Sequence, residues 1–196
     1  MRILVACEES QAVTIAFREK GHEAYSCDIQ DCSGGFPEWH IKDDVIEQLK
    51  KEWDMIIAHP TCKYLANSGV CWIYKDDTRM DKVKQAAEFF MLFYNHPCEK
   101  ICIENPIPHK YGELPKYTQI IQPWMFGHME SKATCLWIKG LPKLTETNNV
   151  KTEMLKLPKN ISQRLHYLPP GPKREKLRSK TFPGIAQAMA DAWGTI

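Results

Sequence analysis

At 196 residues the chain suits one domain with a sizeable core, and 43% apolar with 26% charged residues is an ordinary globular composition. No stretch approaches the roughly 18 apolar residues of a membrane span, and Met1-Arg-Ile-Leu-Val-Ala-Cys-Glu-Glu9 turns acidic at once, as a first strand does and a signal peptide does not. The net charge of +2 conceals an asymmetry: residues 1–150 hold 17 Lys/Arg and 21 Asp/Glu, whereas residues 151–180 hold 9 Lys/Arg against only Glu153 and Glu175.

Residues 3–6 predict a buried strand and residues 11–20 a helix ended by Gly21. A second strand, 24–27, ends at Asp28, and a loop bearing Gly and Pro (31–40) leads to a helix over 43–51 whose two aspartates suit its N-terminus. Residues 54–58 predict a strand, 60–79 carry mixed signals, and 80–95 form a strongly apolar helix before a strand at 100–103. Strands alternating with helices imply an α/β fold with a mostly parallel sheet and helices on both faces. Residues 106–122, rich in proline and aromatics, predict an ordered loop; 133–139 predict a strand closed by Gly140. The pattern is weak over 141–180, and Pro183 opens a last helix running to Trp193 and stopped by Gly194. The whole of 1–196 reads as one domain.

Eight cysteines in a chain of this length and patterning do not make a secreted disulfide scaffold. Cys7, Cys27, Cys102 and Cys135 lie in apolar runs, where a free cysteine behaves as a small hydrophobe, so reduced thiols and a cytoplasmic location are expected. Cys98, Cys102 and His109 lie close together, but no pair of Cys-x2-Cys knuckles occurs and no metal is expected.

Two segments point to chemistry. Asp54-Met-Ile-Ile-Ala-His-Pro-Thr-Cys62 and Lys100-Ile-Cys-Ile-Glu-Asn-Pro106 are strand-length apolar runs that stop at a thiol and at a carboxylate. Ligands of open α/β sheets gather at the carboxyl ends of strands, so a nucleophile assisted by an acid is implied. Lys63 beside Cys62 favours its ionisation, and desolvation at a strand end is expected to raise the Glu104 pKa.

The order of these landmarks resembles the cytosine-C5 methyltransferases, in particular small phage and prophage members of that S-adenosylmethionine-dependent, Rossmann-like family. The residues that carry the resemblance are Cys7–Ser10 after the first strand, Asp28, Asp44, Pro60-Thr61-Cys62, Glu104-Asn105, and Arg178-Ser-Lys-Thr-Phe-Pro-Gly-Ile-Ala-Gln-Ala-Met-Ala190. The resemblance implies Cys62 as nucleophile, with Glu104 on the cytosine ring and Asn105 positioning the loop. It implies a cofactor site of Ala6, Cys7, Glu8, Ser10 and Pro60, with Asp28 at the ribose and Asp44 at the adenine. Lys132 stands where the family has an arginine-bearing segment, and with Lys173, Arg174, Lys176 and Arg178 it is a candidate contact to phosphate. Tyr64, Trp72, Tyr74 and Trp124 are candidates for stacking on an extruded base.

The chain departs from the family in three places. The glycine-rich cofactor loop is replaced by Ala6-Cys-Glu-Glu-Ser10, the second proline of the nucleophile turn is Thr61, and the segment that reads DNA sequence is absent or reduced to about 141–178. The implied substrate is therefore DNA or a nucleotide. Two rivals accompany this reading: an amino-methyltransferase using Asn105-Pro-Ile-Pro108, and a non-catalytic binding protein retaining the fold.

Overall fold

The computed structural model describes residues 1–195, and of Lys173 the backbone alone. Strand β1 (Arg2–Ala6) is a run of aliphatic residues, and Ile3 to Ala6 are all fully buried, as a strand covered on both faces requires. It pairs in parallel with β2 (Glu23–Asp28) on one side and β4 (Met55–Ala58) on the other; β3 (His40–Lys42) lies beyond β2 and β5 (Ile101–Pro106) beyond β4, all parallel. Strand β7 (Thr134–Lys139) runs antiparallel to β5, and β6 (Gln119–Ile121) antiparallel to β7. Among the described residues these strands form one sheet in the order β3-β2-β1-β4-β5-β7-β6.

Side chains alternate across a strand, and two apolar layers result. Ile3, Val5, Met55 and Ile57 face helices α1 (Ala12–Glu19) and α8 (Pro183–Trp193), which contribute Val13, Phe17, Ile185, Met189 and Trp193. Leu4, Ala6, Ile56, Ala58 and Ile103 face α2 (Val45–Gln48) and α3 (Arg79–Tyr94), which contribute Val45, Ala86, Phe90 and Phe93. Trp193 is fully buried and its indole donates to the Pro142 carbonyl at 2.9 Å, anchoring the last helix.

Residues 151–179 fold as short helices: α4 (Lys151–Leu155), α5 (Lys159–Ser162), α6 (Arg164–Tyr167) and α7 (Pro172–Ser179). Arg174 donates to the carbonyls of Leu168 and His166, tying α7 to the end of α6. Gly184 lets the start of α8 dock, because a Cβ there would lie 2.1 Å from the Phe126 carbonyl oxygen.

Several elements differ from the sequence expectation. The helix expected at 43–51 is one turn, capped by Asp44, and it is preceded by β3, a strand that was not expected and that begins at His40, the last residue of the expected loop. Likewise β6 lies inside the expected loop of 106–122, and the strand expected at 100–103 continues to Pro106 because β7 pairs with it through Thr134. Among the described residues no helix is long and apolar enough to cross a membrane.

Candidate functional site

The chain leaves β1 toward β2 and β3, then returns to β4 on the opposite side of β1. That reversal opens a crevice beyond the strand ends, where open α/β sheets bind ligands. A cleft of about 720 Å³ lies there, lined from the β1 loop (Cys7 to Ser10), the β2 end (Asp28 to Gln30), Asp43 and Asp44, the turn His59 to Lys63, Glu104 to Pro106, Lys132, and α7 with Thr181.

The β1 loop keeps a glycine-like path without glycine. Cys7 and Gln11 both have φ of 59°, in the left-handed region that ordinary side chains avoid. Interior bonds hold them there: Glu8 N donates to the Cys27 carbonyl, and the Gln11 side chain bonds both N and O of Phe36. Glu8 borders the cleft but is buried, its carboxylate accepting from Val13 N at 2.7 Å, Thr14 N at 3.2 Å and Thr14 Oγ1 at 2.7 Å. It thus serves as the cap that Gln11 does not supply to α1. Ala6 is fully buried in β1, and its carbonyl accepts from His59 N, so it positions the turn without lining the cleft.

On the far side, Asp28 borders the cleft and accepts from Gln30 N at 2.9 Å, and the next side chain, Ile29, is 75% exposed. Asp44 borders the cleft too while capping α2 through Ile46 N. The left-handed loop, the carboxylates and the exposed isoleucine fit a nucleoside-bearing cofactor: hydroxyl acceptors beside an apolar surface for a flat ring.

The Cys62 turn is braced from every side. Leu65 N and Ala66 N both donate to the Cys62 carbonyl; Asn67 N donates to Ile107 O and His109 N to Leu65 O; His109 Nε2 meets the Tyr64 carbonyl at 2.7 Å. Arg79 donates to the Lys63 carbonyl and stacks on the Tyr64 ring. Asn105, almost fully buried, donates from Nδ2 to the Pro60 carbonyl at 2.9 Å. Cys62 itself is exposed to the cleft.

Glu104 is nearly buried, and its Oε2 receives two contacts: His59 Nδ1 at 3.3 Å and Thr181 Oγ1, which donates at 3.3 Å. Burial alone would raise its pKa, yet the His59 bond and charge, with Lys132 and Thr181, hold it down to about 2. The expectation of a raised Glu104 is therefore corrected: the partners outweigh desolvation. His59 moves the opposite way, raised by Glu104 and Glu8 against burial and Lys132. Burial by the cleft walls pushes the Cys62 thiol up, with Lys132 and Arg178 pulling it back. Lys63, the cation expected to act on Cys62, instead pairs with Glu175 at 3.7 Å.

The basic segment folds onto the cleft. Lys176 reaches Glu9 of the β1 loop at 2.6 Å, and Arg174, Lys176 and Arg178 line the wall with Lys132, whose Nζ donates to the Lys180 carbonyl. The side chain of Lys173 lies outside the described residues. The four aromatic candidates are not among the lining groups: Tyr64 lies under Arg79, Trp124 lies beside Lys151, and Trp72 and Tyr74 are solvent-exposed. A second exposed thiol, Cys71, lies in the 3-10 helix Asn67–Tyr74 that follows and is not among the lining groups. Thr181 escaped the sequence reading although it lies inside the quoted C-terminal motif; nothing local distinguishes it from its serine and lysine neighbours.

No family model and no curated protein matches the chain. Among solved structures, a candidate DNA modification methyltransferase encoded within an E. coli prophage is similar, with TM-score 0.46 and 15% identity over 80% of this chain and 55% of that one. The chain thus spans about half of that protein's length, and a likeness this distant speaks to neither activity nor substrate.

Proposed function

We propose that this chain transfers a methyl group from S-adenosylmethionine to carbon 5 of cytosine, in DNA or in a nucleotide, through a covalent bond to Cys62. The observation that carries the reading is the arrival of Cys62 and Glu104 from adjacent parallel strands, β4 and β5, on one cleft at the reversal of strand order. Carbon 5 of cytosine is a poor nucleophile. Attack of the Cys62 thiolate on carbon 6 makes carbon 5 an enamine carbon and divides one hard step into two easier ones. Glu104 faces the ring nitrogen N3 and the exocyclic amine, and Asn105 fixes the turn. S-adenosylmethionine, when bound over Cys7–Ser10 with Asp28 and Asp44 at its nucleoside, supplies an electrophilic methyl group. Lys132 and Arg178 favour both the thiolate and an incoming phosphate.

The amino-methyltransferase reading requires a presented Asn105 amide, but that amide is buried and donates to Pro60 O. The binding-protein reading is favoured by one observation, the Cys62 thiol pKa that burial raises. Calorimetric titration with S-adenosylmethionine, followed by nucleoside mass analysis of DNA co-expressed with the protein, separates the readings. Cofactor binding with 5-methylcytosine supports methyl transfer, and its absence in both measurements removes it.

A further inference from the structure

Among the described residues, His59 is a buried titratable side chain that the scheme above leaves without a role. It occupies the position before the Pro60-Thr61-Cys62 turn, held by its own N–H to the Ala6 carbonyl at 2.9 Å. Its Nδ1 lies 3.3 Å from Glu104 Oε2, and both side chains are about nine-tenths buried. Its Nε2 is buried with no hydrogen-bond partner among the described residues, so the contact to Glu104 is the ring's outlet for a proton. Three charged groups face it: Glu104 from β5, Glu8 from the β1 loop and Lys132 from the segment before β7.

We propose that His59 is the proton reservoir for Glu104, a positioning and relay residue that charges the carboxylate with the proton it delivers to the substrate ring. This deepens the cytosine-C5 reading and rests on it. The need for a reservoir follows from the site: Glu104 surrounded by His59, Lys132 and Thr181 is a carboxylate near neutrality and has no proton of its own to give. When the Cys62 sulfur bonds to carbon 6, the C5–C6 π pair shifts to C4–C5 and the N3–C4 π pair moves onto N3. The Nδ1 proton of His59 passes to Glu104 Oε2, and the carboxylic acid so formed donates a proton to N3, leaving a neutral imidazole and a carboxylate. Re-forming the N3–C4 double bond returns the proton along the same path. The charges also balance: the His59–Glu104 pair passes from net zero to −1 as the negative charge brought in by the thiolate is quenched at N3.

The test is the rate of covalent adduct formation on an oligonucleotide containing 5-fluorocytosine, with S-adenosylmethionine present, across and beyond the ordinary histidine and cysteine pKa values of about 6.5 and 8.5. In the wild type the rate rises with pH as the thiol ionises, then levels off as His59 loses its proton. His59→Asn slows the adduct about 100-fold or more near neutrality, the usual worth of a placed acid, and its rate keeps rising where the wild type has levelled. An adduct in the wild type with the same rate and profile in His59→Asn overturns the relay and leaves the Cys62 reading standing. No adduct in the wild type overturns both. A second measurement needs no His59 variant: the ring nitrogens of His59, followed by NMR, titrate at lower pH in Glu104→Gln than in the wild type. An unchanged titration overturns the relay.

Discussion

The Asn105 amide donates to the Pro60 carbonyl at 2.9 Å, and this one buried bond ties the turn that carries Cys62 to the strand that carries Glu104. The tie sets the spacing of thiol and carboxylate, since β4 and β5 have already ended their pairing at Ala58 and Ile103. Replacing Asn105 with Ala should cost about 1–3 kcal/mol of stability, the range for a buried group left unsatisfied. Activity should fall further than stability accounts for. Denaturation midpoints and turnover measured at a temperature where the variant is fully folded check this.

The left-handed backbone at Cys7 makes a prediction about the β1 loop. Glycine there removes strain of about 1–2 kcal/mol but also removes a half-buried thiol, so Cys7→Gly should be close to neutral. Cys7→Val, β-branched and ill-suited to positive φ, should lower the melting temperature by several degrees and weaken S-adenosylmethionine. Melting curves with and without cofactor report both effects.

Glu104 should leave a mark on acid stability. Its carboxyl is held below the ordinary 4.5, at about 2, so it stabilises the fold above its unfolded value. That contribution is lost as pH falls from 4.5 toward 2. The stability advantage of the wild type over Glu104→Gln, measured by denaturant unfolding, should therefore be greatest between pH 4.5 and the His59 titration, shrinking below that window as Glu104 is protonated and above it as His59, whose pKa Glu104 raises, loses its proton. An advantage that persists to the lowest pH would mean that the charge of Glu104 does not stabilise the fold.

Helix α7 meets both sides of the cleft through partly exposed ion pairs, Lys176 with Glu9 and Lys63 with Glu175. Such pairs contribute about 0–1 kcal/mol, so Lys176→Ala and Arg178→Ala together should hardly move the melting temperature. They should instead flatten the salt dependence of nucleic-acid binding, since each lost phosphate contact removes a released counterion. A salt slope identical to wild type would assign these residues to packing. Arg174 is a poorer probe, because its two bonds to α6 carbonyls make it structural.

The strands at the centre of the sheet were legible because Ile3–Ala6 and Met55–Ala58 are unbroken aliphatic runs, and the last helix because Pro183 and Gly194 punctuate it. Strands β3 and β6, three residues each, carry no such signature and exist only because a neighbour pairs with them. The reversed sense of β7 is likewise a tertiary property. At the site, the candidates at the strand ends could be named from sequence, but their electrostatics could not. The low carboxyl of Glu104 depends on His59, Lys132 and Thr181, separated from it by 45, 28 and 77 residues of chain. Lys63, adjacent to Cys62 in sequence, turns away to Glu175, whereas Lys132 and Arg178 act on the thiol from distant segments.

The central claim is that Cys62 is the covalent nucleophile at cytosine. Intact-mass analysis of the protein incubated with S-adenosylmethionine and 5-fluorocytosine DNA tests it most directly, because fluorine at carbon 5 blocks the proton loss that releases the enzyme. The wild type and Cys71→Ser should both gain the mass of the oligonucleotide plus one methyl group, while Cys62→Ser, whose alcohol supplies almost no anion near neutrality, should remain unmodified with its cofactor affinity intact. An adduct that persists in Cys62→Ser, or wild-type protein that binds cofactor and DNA yet forms none, would contradict the account.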